Sequence, residues 1–517
     1  MTPRVPSQSE VWWDTLLAVV AFALLSAAAV RFVSQRGYTL YYGDAQCHLA
    51  IARRVVDSRT PEIAQLGTPW LPLPHVLMLP LAVDDYLWQT GLAGAIPSAV
   101  CFVLASGFLF AAAKSVFSSR AAGAAAAALL ALNPNLLYLQ STPMTEPVFL
   151  ACLMALLYFT VRFQRTQSMA AVVGAGLAAL AGTLTRYEGW FLLPFVGVYF
   201  LAVAKRRPVA AAAVFSVLAI LGPLAWLAFN GWYWGDILEF YRGPSSAKAI
   251  QGAAFYPGDH NWAVAWLHFR TAARLCLGRP LLWMGLAGAV ATLLRKSVWP
   301  LVLLSLPPAF YVWSIHSAGT PIHVPTLWPF SYYNTRYGLA MLPLAAFAAA
   351  ALVAWTPLRL RAITALAAIA IGVAPWMVDR RMEACITWKE SQVNSVARRA
   401  WTSEAAEFLR FNYRPHSGVF TTFGDITGIF QRAGIPLRDT LTWDNAPYWP
   451  AAAARPDLFL REEWAVAEGG DKVQSAINRA FLRGPRYTLQ KTIMVKNAPV
   501  IEIYRRESQR PMSAETQ

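Results

Sequence analysis

The sequence predicts an α-helical polytopic membrane protein of about eleven transmembrane helices, with a small α/β domain outside the membrane at its C-terminal end. Three observations lead there. Of the residues, 56% are hydrophobic and only 14% charged, a balance that belongs to membrane chains. Apolar runs recur along the first three quarters of the sequence with basic residues in every second gap. Near Asp379 the composition turns into that of a soluble domain, which divides the chain into residues 1–378 and 379–517.

The runs able to cross a bilayer are Val11–Phe32, Leu92–Ala113, Ala121–Leu139, Val148–Phe163, Met169–Leu184, Trp190–Ala204, Val209–Phe229, Pro280–Leu294, Val298–Ile315, Tyr337–Ala354 and Ala362–Val378. Several fall short of the about 20 residues that a spanning helix needs, so some helices extend into the loops. The first run has little basic character before it and no small-residue cleavage site after it, and it reads as an uncleaved span. Lys114 with Arg120, Arg162 with Arg165, Lys205-Arg206-Arg207, Arg295-Lys296 and Arg359 with Arg361 fill alternate gaps. Basic residues collect on the cytoplasmic side, which places these gaps and Arg4 inside. The Asp44 loop, Asn133–Pro147, Thr185–Gly189, Asn230–Arg279, His316–Arg336 and everything after Val378 then face outward. The expected location is a bacterial inner membrane with the C-terminal domain in the periplasm. The 21 Trp and 19 Tyr suit the two membrane interfaces. The net charge of +16 is explained by this topology, and no nucleic-acid partner is inferred. Five Cys without CxxC spacing exclude a disulfide framework and a zinc site.

Asn261–Leu277 carries apolar and basic residues at helical spacing, as either an interfacial helix or one packed over the membrane mouth. Beyond Asp379, Thr402–Phe411, Asp425–Ala433 and Val473–Phe481 read as helices. Ser417–Phe423 and Trp464–Ala467 read as strands, and Tyr487–Val495 with Val500–Tyr504 as a hairpin. The alternation is that of a small α/β domain. It has no GxGxxG or P-loop, so no nucleotide is assigned to it, and the tail after Arg505 reads as disordered.

The outward loops hold the candidate chemistry. In Tyr41-Tyr42-Gly43-Asp44-Ala45-Gln46-Cys47-His48, a helix opening at Asp44 would set Asp44 and His48 four residues apart on one face. The structural alternative is a capping Asp44 with His48 as its partner. Glu146 in Thr145-Glu146-Pro147 and Glu188 in Arg186-Tyr187-Glu188-Gly189 stand at span ends. Ionisable groups at such depth are costly unless they serve a function. Their structural alternatives are a helix-start carboxylate for Glu146 and an ion pair with Arg186 for Glu188. Arg186 and Arg336 break the positive-inside pattern, and Arg336 stands among Tyr332, Tyr333 and Asn334. A guanidinium there suits bidentate capture of a phosphate. Acids, a phosphate-sized basic site and aromatic walls on the outer side indicate a polyprenyl-phosphate-linked sugar, since nucleotide sugars are absent from that side of a bacterial membrane.

At these residues the chain resembles the GT-C superfamily of integral-membrane glycosyltransferases, which includes protein O-mannosyltransferases, aminoarabinose transferases and oligosaccharyltransferases. The resemblance runs through Gly43-Asp44-Ala45 to Arg53-Arg54, Thr145-Glu146-Pro147, Thr185-Arg186-Tyr187-Glu188-Gly189 and Arg336-Tyr337-Gly338. Gly235-Asp236, Tyr241-Arg242-Gly243-Pro244 and Ser245–Ala249 resemble the loop after the seventh span. It implies the GT-C fold for residues 1–378, an inverting transfer, Asp44 as general base and Glu146 as a second acid. It further implies Arg336, with Arg186, opposite the departing phosphate, and His48, Glu188 and Tyr333 beside the substrate. Partners are then a polyprenyl-phosphate-sugar donor and a protein, lipid or glycan acceptor. The sequence departs from the family by having Ala45-Gln46 after Asp44 instead of a paired acid, no adjacent Asp-Glu, and no WWD-type motif after residue 379. No cofactor is required; a divalent Mn²⁺ or Mg²⁺ held by Asp44, His48 and Glu146 is the alternative that two carboxylates and an imidazole leave open. The competing function is a transporter or flippase of polyprenyl-linked glycans, against which stand the lack of an internal repeat and the outward clustering of charge.

Overall fold

The structure, a computed structural model, describes residues 8–507. Arg4 and the tail from residue 508 lie outside the described residues. Two compact units emerge, one of residues up to Thr39 with Thr68–Leu77 and Gly94–Val393, the other of Leu40–Gly67, Met78–Ala93 and the chain from Asn394.

In the first unit all eleven apolar runs are helical. Among the described residues seven helices are individually long and apolar enough to cross a membrane, and Trp262–Leu277 with Arg279–Leu294, bent by 107°, makes an eighth if the pair is one span. Arg120–Ala131, Met169–Thr183 and Glu188–Val203 are shorter apolar helices. The run Ala121–Leu139 is broken for a local reason. Its helix ends at Ala131, and Asn133 caps a new helix, Pro134–Leu139, by accepting from the Asn135 and Leu136 amides at 3.0 and 3.3 Å. Leu73–Ala82, unmarked by the sequence reading, is a further short apolar helix.

Small residues bring the helices together. Arg279–Leu294 packs along Leu342–Trp355, whose face Ala345, Ala346, Ala348, Ala349 is buried. A Cβ at Gly288 would come 2.0 Å from the Ala348 carbonyl oxygen, so the two backbones touch there. Trp262–Leu277 buries Ala265, Phe269 and Ala272 in a cluster with Tyr256, Tyr311, Ile315, Ile322 and Val324. It also packs on the segment Thr335–Met341. At Gly338 a Cβ would meet the Ala272 carbonyl carbon at 2.5 Å, which requires glycine. The packed alternative for Asn261–Leu277 is thus realised on one face of the helix.

The second unit is a three-layer α/β domain. Its strands are β1 (Val419–Phe420), β2 (Thr440–Leu441), β3 (Trp464–Glu468), β4 (Tyr487–Ile493) and β5 (Ile501–Arg506), in the order β2-β1-β3-β5-β4. β1 pairs in parallel with β2 and β3, while β5 runs antiparallel to β3 and β4. The strand period of two explains the layers. Trp464 and Val466 of β3 enter one core with Trp401, Ile429 and Phe430; Ala465 and Ala467 enter the other with Phe420, Val473 and Ile477. The expected helices and hairpin are present, with the first one much longer, at Ile386–Asn412. The two-residue β2 and the helix Tyr448–Ala454 have no signal in the sequence reading.

This unit also claims chain that the sequence assigns to residues 1–378. Leu49, Ala52, Met78, Ala82 and Trp88 are buried in the same core as Trp401 and Trp464. Arg53 binds Asp57 at 2.7 Å, Asp85 at 2.6 Å and the Ala82 carbonyl at 2.8 Å. Asp57 in turn binds Arg438 at 3.1 Å. The helix Gly43–Arg54 packs on the helix Thr427–Ala433 and on Leu437–Asp439, which is why this stretch belongs to the α/β unit.

Candidate active site

In the first unit, helix starts and turns at span ends gather five charged side chains. Glu146 opens the helix Glu146–Thr166 and Glu188 opens Glu188–Val203, so both helix-start carboxylates lie where the helix dipole favours them. Arg186 occupies the turn before Glu188. It donates from Nε to Glu188 at 2.8 Å and from Nη1 to the Thr145 hydroxyl at 2.6 Å, and it approaches Glu146 at 3.3 Å. Its Nη2 reaches the Tyr311 hydroxyl at 3.0 Å, and Tyr311 also donates to Glu188. The ion-pair reading of Glu188 is therefore realised, but as part of a larger network.

Arg336 completes it. Its Nε donates to Glu146 at 3.1 Å and its Nη1 to Glu390 at 3.3 Å. Glu390 also accepts from the Arg336 amide at 3.2 Å and from the Thr335 hydroxyl. Glu146 thus bridges two guanidiniums, and Glu146, Glu188, Glu390 and Arg336 are all buried. The Tyr337 ring lies under both arginines, 5.0 Å from Arg336 and 5.4 Å from Arg186, and stacks on Tyr311 at 4.6 Å. Such contacts hold a guanidinium plane in place and strengthen when desolvated. The cavity beside the cluster has Glu146, Arg186, Glu188, Arg336 and the two tyrosines at its polar end. Leu136, Leu139, Phe149, Leu150 and Leu153 form its apolar wall.

Of the sequence-derived candidates, Glu146, Arg186, Glu188 and Arg336 are brought together. Tyr333 is outside that set: it is exposed, and its backbone forms a two-residue antiparallel bridge with His323. Asp44 and His48 lie in the other unit, on the helix Gly43–Arg54, Asp44 half-buried in its first turn and His48 buried. Tyr42, not Asp44, occupies the capping position, so the cap reading of Asp44 does not hold. Arg398 supports this helix start by binding Asp425 at 3.1 Å and the Leu40 carbonyl at 3.3 Å. A Cβ at Gly43 would lie 3.0 Å from the Asp425 Oδ1, and the Cys47 thiol is pushed up by burial and then by Asp425 and Asp44. Among the described residues no group of three or more His, Cys, Asp and Glu side chains is placed to hold a metal ion. The divalent-cation alternative of Asp44, His48 and Glu146 rests on the sequence alone.

Sequence reasoning missed Glu390 and Tyr311, and had Thr145 and Tyr337 only as neighbours of Glu146 and Arg336 in their motifs. Tyr311 had a signal, as a hydroxyl inside the apolar run Val298–Ile315. Glu390 had none, because it precedes the helix read from Thr402 and stands in a stretch of ordinary polar composition.

The profile of the dolichyl-phosphate-mannose-protein mannosyltransferase family matches residues 87–232. Among solved structures, ArnT from Cupriavidus metallidurans bound to undecaprenyl phosphate superposes with a TM-score of 0.57 at 15% identity, over 94% of this chain and 97% of that one. The same enzyme in the apo state gives 0.53 at 15% identity over 92% and 97%. The apo oligosaccharyltransferase of Archaeoglobus fulgidus gives 0.46 at 14% identity over 90% and 70%. No curated protein sequence matches. The chain thus shares the fold of ArnT, and its residues 87–232 match the dolichyl-phosphate-mannose-protein mannosyltransferase family.

Proposed function

We propose that the chain transfers a sugar, with inversion, from a polyprenyl-phosphate-linked donor to an acceptor on the outer face of a bacterial inner membrane, its α/β unit lying in the periplasm. The observation that carries this reading is the pair Arg186 and Arg336, desolvated side by side at one end of an apolar-walled cavity. Two guanidiniums among the polar lining and a greasy wall match a phosphate on an isoprenoid chain, and ArnT of Cupriavidus metallidurans, which shares the fold, binds undecaprenyl phosphate. The basic residues in alternate gaps support the orientation.

In this mechanism an acceptor hydroxyl oxygen attacks the anomeric carbon from the side opposite the phosphate. The bond from that carbon to the phosphate oxygen breaks, and its electron pair leaves on the polyprenyl phosphate. Asp44 takes the hydroxyl proton, a general-base role that needs a partly exposed carboxylate, as Asp44 is. Arg336 and Arg186 stabilise the charge gathering on the phosphate, and Glu146, bridging them, fixes their separation. The carboxylates keep both guanidiniums preorganised, so little reorganisation accompanies the step.

The test is a titration of lipid donor against the purified full chain and its Arg336 variants. Arg336→Lys replaces a two-point contact by a point charge and should raise the donor concentration needed for half-maximal rate, with Arg336→Ala worse and acceptor dependence unchanged. An unchanged donor dependence alongside a lowered melting temperature would assign Arg336 to structure and remove the main support for this function.

A further inference from the structure

We propose that the helix Trp262–Leu277 and its flanking loops form an interfacial anchor that recognises the headgroups of anionic phospholipids. The helix turns by 107° from Arg279–Leu294, so if the second member runs across the bilayer, the first lies near its plane. One face is committed to the protein, through Ala265, Phe269 and Ala272. The other carries Trp262, Trp266, Arg270 and Arg274 at a spacing of four, which on a helix makes one stripe. Trp262 and Trp266 are 54% and 46% exposed, and Arg270 is exposed beside them.

The surface continues beyond the helix. Phe255 and Trp328, 75% and 55% exposed with ring centroids 5.9 Å apart, are the chain neighbours of Tyr256, in the cluster that the helix packs into, and of Leu327, packed against that cluster. Indole and phenyl rings left out of a protein core at this depth find their best environment at the headgroup level, where an apolar body and a polar edge are both solvated. The sign of the lipid follows from charge. Residues 261–279 contain Arg270, Arg274 and Arg279 and no carboxylate, and Asp259 in the preceding loop is held by His260 at 2.8 Å and the Tyr256 hydroxyl at 3.2 Å. Arginine in this position attracts anionic phosphates, and its guanidinium can bond two phosphate oxygens at once. A soluble partner would have to cover rings flanked by basic groups on a helix that bends directly into a span, which a leaflet does without any additional component. Trp262, Trp266, Arg270 and Trp328 do not line the donor cavity, and the anchor does not rest on the proposed transfer.

The experiment uses the full chain with Trp266→p-benzoylphenylalanine in one variant and Trp328→p-benzoylphenylalanine in another. Each is reconstituted in nanodiscs of phosphatidylcholine, alone or with phosphatidylglycerol as the minor component, then irradiated and analysed by mass spectrometry. Both positions should yield lipid adducts, with the phosphatidylglycerol-to-phosphatidylcholine adduct ratio about fivefold above the bulk ratio, the factor carried by one basic residue near an anionic surface. Adding Arg270→Gln should bring that ratio most of the way to bulk while total lipid adducts persist. If the Trp266 variant fails to fold, Trp328 reads the same surface. Folded protein with adducts only to polypeptide, or with none, at the positions tested would overturn the anchor. Lipid adducts at the bulk ratio, indifferent to Arg270→Gln, would overturn the anionic recognition.

Discussion

Glu390 offers the sharpest test of the buried cluster, because it was invisible in the sequence and its carboxylate bonds both Thr335 and Arg336. Glu390 is 1% exposed and Arg336 6%. One carboxylate oxygen accepts from the Arg336 Nη1 at 3.3 Å; the other accepts from the Arg336 amide at 3.2 Å and from the Thr335 hydroxyl. A glutamine carbonyl replaces only one of those oxygens, and its NH2 then faces N–H or O–H donors. With hydrogen bonds to charged groups contributing about 1.5–3 kcal/mol each, Glu390→Gln should cost about 2–4 kcal/mol. Glu390→Ala removes one of the carboxylates that bind a desolvated guanidinium, and breaking a buried pair in this way costs about 3–5 kcal/mol. The assay is unfolding of purified protein in mixed micelles of dodecyl maltoside and sodium dodecyl sulfate. A double-mutant cycle with Arg336→Met should give a coupling near 2 kcal/mol, since removing both partners relieves the uncompensated charge (order of magnitude). A loss below about 1 kcal/mol for Glu390→Ala, or a coupling of zero, would show that the pair does not form and refute the cluster as drawn.

Other outcomes follow from the same structure. Asp44→Asn keeps the size of the side chain and should leave unfolding unchanged while lowering transfer by about 10²–10⁴-fold; near-normal turnover with purified lipid donor would remove Asp44 as the base. Lys205→Cys and Arg295→Cys should resist an impermeant thiol reagent in intact cells while Ser417→Cys reacts, and the reverse pattern would invert the topology. Gly288→Ala should destabilise by about 1–3 kcal/mol or more, because its methyl would press on the Ala348 backbone. Gly197→Ala meets only the Ser216 hydroxyl at 3.6 Å and should be neutral or slightly stabilising, which the same unfolding assay reads out.

Much of this protein is determined locally and was legible in its sequence. Each of the eleven apolar runs marked by hydropathy is helical, although one is broken at Leu132-Asn133, because a segment in lipid must satisfy its backbone bonds internally and announces itself by composition. Arg186 and Arg336 stood out for a similar reason, as charges on the side where topology does not call for them. Tertiary structure decided what these residues meet. That Glu146 lies between two arginines is a contact between residues 40 and 190 positions apart in the chain, and that Glu390 closes the network is a contact across 54. Tyr333, three residues from Arg336, has the right chemistry but is turned out by its bridge to His323. The division into units was equally hidden. Gly43–Arg54 resembles a loop helix in sequence, yet Leu49 and Ala52 complete a core whose other members lie beyond residue 400 as well as at residues 78–93. Burial on one side of a helix fixes that some surface must cover it, whereas the identity of that surface depends on the shape of the whole domain, which no local pattern encodes.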